Sequence, residues 1–126
     1  TLKGQTVFLA ERCAELMNND IITDRTVIDV MAFTMNAKSI GHYDKEIFES
    51  YAKEFIREYD YIFYISPYGI PMEDNGVRET DEHYRDIIDF TITTLIKKYG
   101  HMANKIEKIS GSTDERVEQI LKFTNL

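Results

Sequence analysis

A chain of 126 residues that is 43% hydrophobic and 29% charged has the material for one domain with a buried core, which excludes a disordered segment. A net charge of −7 and a pI near 4.9 exclude the overall basic footprint of a duplex-binding protein. The single cysteine, Cys13, excludes an internal disulfide framework and a cysteine-rich zinc site, and no apolar run approaches the roughly 20 residues of a membrane span.

In chain order, Phe8, Leu9, Cys13, Leu16 and Met17 fall near one face and predict a helix over residues 5–18. Asn18, Asn19 and Asp20 end it. Residues 21–24 (IITD) begin with a β-branched run suited to a buried strand. Arg25 and Thr26 turn the chain, and residues 27–35 predict a short helix. A loop over 36–43, containing Gly41, leads to Asp44, placed to cap the next helix. In that helix Ile47, Phe48, Tyr51, Ala52, Phe55 and Ile56 repeat at helical spacing, with Lys53 and Arg57 favourable against the dipole near its end.

Residues 61–65 (YIFYI) form a continuous apolar run, as in a strand covered on both faces. Both prolines, Pro67 and Pro71, then break regular structure, and a polar stretch runs over 73–80. Thr80 is placed to cap the longest helix, with Tyr84, Ile87, Ile88, Thr91, Leu95 and Ile96 as its apolar stripe. Lys97, Lys98 and Gly100 end it in the usual way. Residues 105–109 predict a weaker strand. Ser112 and Glu115 have the spacing of a capping box for a last helix.

Strands separated by helices predict an α/β fold with a doubly wound parallel sheet and helices on both faces. Three strands make a thin sheet for this class. Together with a start (TLKGQTVFLAER) that lacks an initiator methionine and a signal-peptide layout, this predicts the C-terminal part of a larger domain. The free thiol suits a reducing compartment, and the expected location is the cytoplasm.

In doubly wound sheets, ligands bind beyond the carboxyl ends of the strands. Those ends carry Asp24-Arg25, Ser66-Pro67 and Ser110-Gly111-Ser112. Asp24 could hold a magnesium-bound water or accept a hydroxyl proton, and Arg25 could fork onto a phosphate. The plainer reading of the pair is a cap or a salt bridge. Arg78 and Arg85 flank the start of the long helix and could close over a nucleotide as part of a lid over residues 73–85. Their plainer reading is a solvated, salt-bridged helix start. His42, His83 and His101 lie in different segments without metal-ligand spacing, and no serine sits in a nucleophile elbow. Tyr43 and Tyr68, in loops, could stack on a base or simply be half-buried.

Taken in order, four segments resemble the P-loop nucleoside and nucleotide kinases, and in particular the NadR-like ATPase and kinase family of phages and bacteria. Residues 21–33 (IITDRTVIDVMAF) resemble that family's third strand with its Asp-Arg-Ser turn and following helix. Residues 60–67 (DYIFYISP) resemble the next strand, and 76–85 (GVRETDEHYR) the arginine-bearing lid. Residues 109–120 (ISGSTDERVEQI) resemble the last strand, the loop near adenine and the C-terminal helix.

The resemblance implies ATP with Mg2+ and phosphoryl transfer to a nucleoside, nucleotide or similar small acceptor. Asp24 then becomes the base or magnesium-water ligand and Arg25 an acceptor or phosphate contact. Arg78 and Arg85 become lid arginines, and Ser110, Gly111 and Ser112 border the adenine. Expected partners are small molecules, with no duplex nucleic acid and no membrane; a homo-oligomer is left open. The departure is the phosphate-binding loop: no G-x-x-x-x-G-K-[ST] occurs in these 126 residues. The expectation is that it lies upstream of Thr1. The alternatives are an ATP hydrolase using the same site and a non-catalytic nucleotide-binding or regulatory domain.

Overall fold

A helix that is apolar on nearly every side must be enclosed by other elements, and the nine-residue helix α2 (Val27–Met35) is built that way. Val27, Ile28, Val30, Met31, Ala32 and Thr34 are all buried. In the computed structural model, which describes residues 1–18, 20–68 and 82–125, α2 is the centre of the core. Its start is fixed by a capping box: Thr26 Oγ1 accepts the Ile28 N–H at 3.1 Å, and Asp29 Oδ2 accepts the Thr26 N–H at 2.9 Å. Thr34, buried and polar, donates its hydroxyl to the Val30 carbonyl at 2.8 Å, which removes the cost of burying it.

Around α2 lie α1 (Leu2–Glu15), contributing Leu9, and α3 (His42–Ala52), contributing Phe48 and Ala52. A 3-10 segment, Lys53–Glu58, continues α3 and buries Ile56. The 18-residue helix α4 (Glu82–Tyr99) closes the core with Ile88, Leu95 and Tyr99. Asn36, at the end of α2, donates to Thr91 Oγ1 on α4 at 2.9 Å. The helical expectation for 27–35 is met to the residue. The others shift: α1 begins at Leu2, capped by Thr1, and α3 begins at His42 after Gly41. Asp44 is therefore not the cap; it lies in the first turn of α3, where a carboxylate still suits the helix dipole.

The sheet has two strands among the described residues, β1 (Ile62–Ile65) and β2 (Ile106–Ile109). They pair in parallel, Ile62 with Ile106 through to Ile65 with Ile109, and α4 is the crossover between them. Successive side chains of a strand point to opposite faces. Tyr64 accordingly bonds Asp89 on α4, whereas Phe63 packs against Phe123 of α5 (Thr113–Thr124) with ring centres 6.3 Å apart. This is an α/β architecture of five α-helices and a two-stranded parallel sheet among the described residues.

Residues 21–23 correct the expectation of a strand. They carry no strand pairing, and Ile22 is 97% exposed. A β-branched run becomes a strand only when a neighbour takes up its N–H and C=O groups. Here Asp20, at φ 56°, turns the chain out of α1, and the Thr26 capping box starts α2 only a few residues later. The expected three-strand edge is thus two strands in the described residues.

Tyr59 ties the strand entry to α2, its hydroxyl accepting the Val27 N–H at 3.2 Å. Burial pushes its pKa up to about 12, against the opposing effect of that hydrogen bond. A neutral phenol favoured in the folded state gives stability that is whole below the ordinary tyrosine pKa of about 10 and is lost as pH rises to about 12. The urea midpoint is expected to hold up to about pH 9.5 and fall between about pH 10 and 12. Tyr59→Phe should be less stable by about 1–3 kcal/mol at neutral pH, because the Val27 N–H loses its partner. It should also show a shallower alkaline fall, with Tyr64 retaining part of the effect. An alkaline slope identical to that of the unaltered chain would contradict this role for Tyr59.

Candidate functional site

The parallel register decides what meets at the carboxyl edge of the sheet. Because Ile65 pairs with Ile109, Ser66 and Ser110 leave the strands side by side. At the first turn the Tyr68 N–H donates to Ser66 Oγ at 3.2 Å, the kind of local bond with which serine replaces a backbone turn. The second contains Gly111 at φ 98°, a conformation that L side chains rarely adopt. A Cβ there would meet Glu115 at 3.1 Å. Ser112 then caps α5, its Oγ accepting the Glu115 N–H while Glu115 Oε1 accepts the Ser112 N–H, both at 3.2 Å. Those bonds to Ser112 hold the Glu115 carboxyl below the usual carboxylate range.

Across from these turns stands the start of α4, and the contact is made by side chains of both signs. Tyr68 donates its hydroxyl to Asp86 Oδ1 at 2.7 Å, and the Arg85 guanidinium lies over the Tyr68 ring, 5.6 Å from its centre. Arg85 Nε is also 4.0 Å from Asp86 Oδ1. Tyr64 donates to Asp89, three residues further along the helix. Burial, followed by that carboxylate bond, pushes the Tyr64 pKa up to about 12; the Asp86 bond is the first cause of a rise at Tyr68.

Arg25 reaches the same region by another route. Its guanidinium lies 5.9 Å from the centre of the Phe33 ring, and Phe33 in turn packs against Tyr84 with ring centres 6.3 Å apart. Tyr84 precedes Arg85, so these two ring contacts connect Arg25 to the first turn of α4. Asp24 stands apart. It is exposed and makes no hydrogen bond or ion pair with any described residue, although the Thr23 hydroxyl beside it donates to the Arg25 carbonyl at 2.8 Å. Arg78, and the lid segment up to residue 81, lie outside the described residues.

The arrangement therefore brings Arg85 to the turn after β1 and Arg25 to the first turn of α4, with Ser110, Gly111 and Ser112 on the neighbouring strand end. It does not join Asp24 to them. Two backbone donors of the 110–112 turn are already engaged, Ser110 N–H by Gln119 Oε1 at 3.1 Å and Ser112 N–H by Glu115. The Tyr64–Asp89 and Tyr68–Asp86 pairs were not singled out from the sequence. Each joins residues 18 or 25 apart, and only the parallel register and the packing of α4 bring them together.

For magnesium, the described residues offer no group of three or more His, Cys, Asp or Glu side chains that could hold a metal ion. A single carboxylate such as Asp24 is still compatible with a magnesium that takes most of its ligands from phosphate and water. No helix among the described residues is long and apolar enough to cross a membrane. No protein-family model, curated protein or solved structure matches this chain.

Proposed function

We propose that the chain belongs to an ATP-dependent phosphotransferase of the nucleoside or nucleotide kinase type, built on a doubly wound sheet with helices on both faces. The observation that carries the reading is the parallel β1–α4–β2 unit, whose strands end side by side at Ser66 and Ser110 with Arg85 set against the first turn. That is the edge at which open α/β sheets bind ligands, and an arginine there suits a transferred phosphoryl group. The ordered resemblance of 21–33, 60–67, 76–85 and 109–120 to P-loop kinases supports the same conclusion. In this reading ATP carries the phosphoryl group with Mg2+, Arg25 and Arg85 neutralise phosphate charge, and Asp24 takes the acceptor proton or holds a magnesium water. Ser110, Gly111 and Ser112 border the adenine.

The reading needs a G-x-x-x-x-G-K-[ST] loop, which these 126 residues do not contain. The coding sequence upstream of Thr1 tests it. An in-frame glycine-rich loop ending in Lys-Ser or Lys-Thr after a β-branched run is the expected result. An upstream region without that loop would overturn it. The engaged amides of the 110–112 turn favour the second reading, a regulatory domain that has lost its nucleotide, and the same sequence would then lack the loop.

A further inference from the structure

The opposite edge of the sheet carries a concavity that the proposed function does not use. The 3-10 segment Lys53–Glu58 leads towards β1, and the turn around His101 leads towards β2. Between them and the end of α4 lies a groove of about 630 Å³, within the size range of small-ligand sites. Lys53, Arg57, Lys98 and His101 line it, with Tyr99 as its floor and Glu54 on its wall. We infer that this groove binds a small multivalent phosphate anion of the pyrophosphate or phosphate-ester class.

The charge arrangement is the first argument. The chain carries a net charge of −7, yet three cations from two separate segments, Lys53 and Arg57 from one and Lys98 from the other, converge on one concavity. Lys53 and Lys98 place their ammonium groups over the same Tyr99 ring, 5.7 and 5.2 Å from its centre. Arg57 pairs with Glu54 at 3.1 Å and Lys98 with Glu49 at 3.4 Å. Lys53 has no carboxylate within 4.0 Å among the described residues, which leaves one cation in excess before His101 is considered.

The second argument is exchange. Arg57 and Glu54 are both at least half exposed, and such pairs contribute little. A phosphate with two or more charges offers denser acceptor oxygens, to which an arginine fork and lysine ammonium groups bond more strongly than to water. Complementing a helix end accounts for Lys97 and Lys98 on α4 and for Lys53 and Arg57 at the end of the α3 run, but neither dipole requires the two ends to open on one groove. Tyr99 is buried to 8% exposure, so its ring supports the lysines and offers no stacking platform; the ligand is recognised by charge rather than by a base.

The experiment is a titration of the chain with sodium pyrophosphate, followed by backbone amide NMR shifts at ionic strength held constant with sodium chloride. The expected result is saturable shifts concentrated at residues 53–57 and 98–102. Arg57→Gln with Lys98→Gln should weaken binding by at least about tenfold, since each removes a charge-assisted bond. Lys122→Gln, which removes one charge from α5 as Arg57→Gln alone removes one from the groove, should leave binding unchanged. Arg57→Gln alone, at an exposed position, serves if the double variant fails to fold by circular dichroism. Non-saturating shifts up to about 10 mM pyrophosphate, far weaker than a specific site, would overturn the inference. So would shifts centred on Arg85 and residues 110–112, or equal weakening by Lys122→Gln. Because these outcomes are read at the groove alone, loss of the phosphotransferase reading leaves them unaffected.

Discussion

Replacing Leu95 with alanine is expected to lower the unfolding free energy by about 3 kcal/mol, with 2–5 kcal/mol as the range for such truncations. Leu95 is 1% exposed and sits about one turn before the end of α4, in the core cluster that joins α1, α2, α3 and the entry to β1. Truncation removes apolar area and also leaves a cavity, because the close-packed neighbours relax only in part. Against a total stability of roughly 5–15 kcal/mol for a domain of this size, that loss brings the chain close to unfolding at physiological temperature. Phe90→Ala on the same helix provides the contrast. Phe90 is 73% exposed, and its truncation should stay within about 0.5 kcal/mol. Urea unfolding of the two variants, with unchanged denaturant slopes, makes the comparison. Equal midpoints would mean that the core does not run through Leu95.

The difference between these two residues was only half legible in the sequence. Leu95 belongs to the apolar stripe of the long helix, and so does Ile88, both buried. Ile87 and Tyr84 carry the same period and are exposed by 37% and 41%, because periodicity defines a face without saying how wide a partner covers it. Where local chemistry alone decides, most expectations hold, the Asp44 cap being the exception. The Ser112–Glu115 box and the start of the span 27–35 rest on bonds within one turn, and α4 ends beside Lys97 and Lys98 as expected. The Thr26–Asp29 pair has the same spacing, and its box starts α2 where the sequence predicts only a turn at Arg25 and Thr26.

Where a distant partner decides, the outcome is mixed: residues 62–65 and 106–109 are strands as expected, and 21–23 are not. Ile21 and Ile22 have the composition of a strand, but nothing local supplies the neighbouring strand that would make them one. For the candidate site, Arg25 and Arg85 could be picked by residue type and position. The Tyr64–Asp89 and Tyr68–Asp86 bonds that surround Arg85 depend on a helix returning over the sheet. Asp24 was chosen for following a strand, and the loss of that strand leaves its case resting on the Asp-Arg pattern alone.

That makes Asp24 the sharpest place to test the proposed chemistry. Asp24→Asn keeps the side-chain shape and removes the charge. Asp24 is exposed and bonded to no described residue, so the melting temperature should not change measurably. Thr26→Ala, two residues on, should instead cost about 1 kcal/mol by breaking the α2 capping box. If Asp24 accepts the acceptor's proton or positions a magnesium water, its asparagine variant should transfer phosphoryl groups roughly 10²-fold more slowly or worse. The loss should fall on kcat more than on ATP affinity, because the proton leaves only as the transition state forms. The measurement is turnover with ATP and a panel of nucleosides and nucleotides, on the protein carrying its phosphate-binding loop. Thr26→Ala should keep near-normal turnover in its folded fraction, which separates a chemical role at residue 24 from a general loosening of the α2 start. An Asp24→Asn protein with unaltered melting and unaltered turnover would remove Asp24 from the reaction and leave Arg25 and Arg85 as the groups to be tested at this edge.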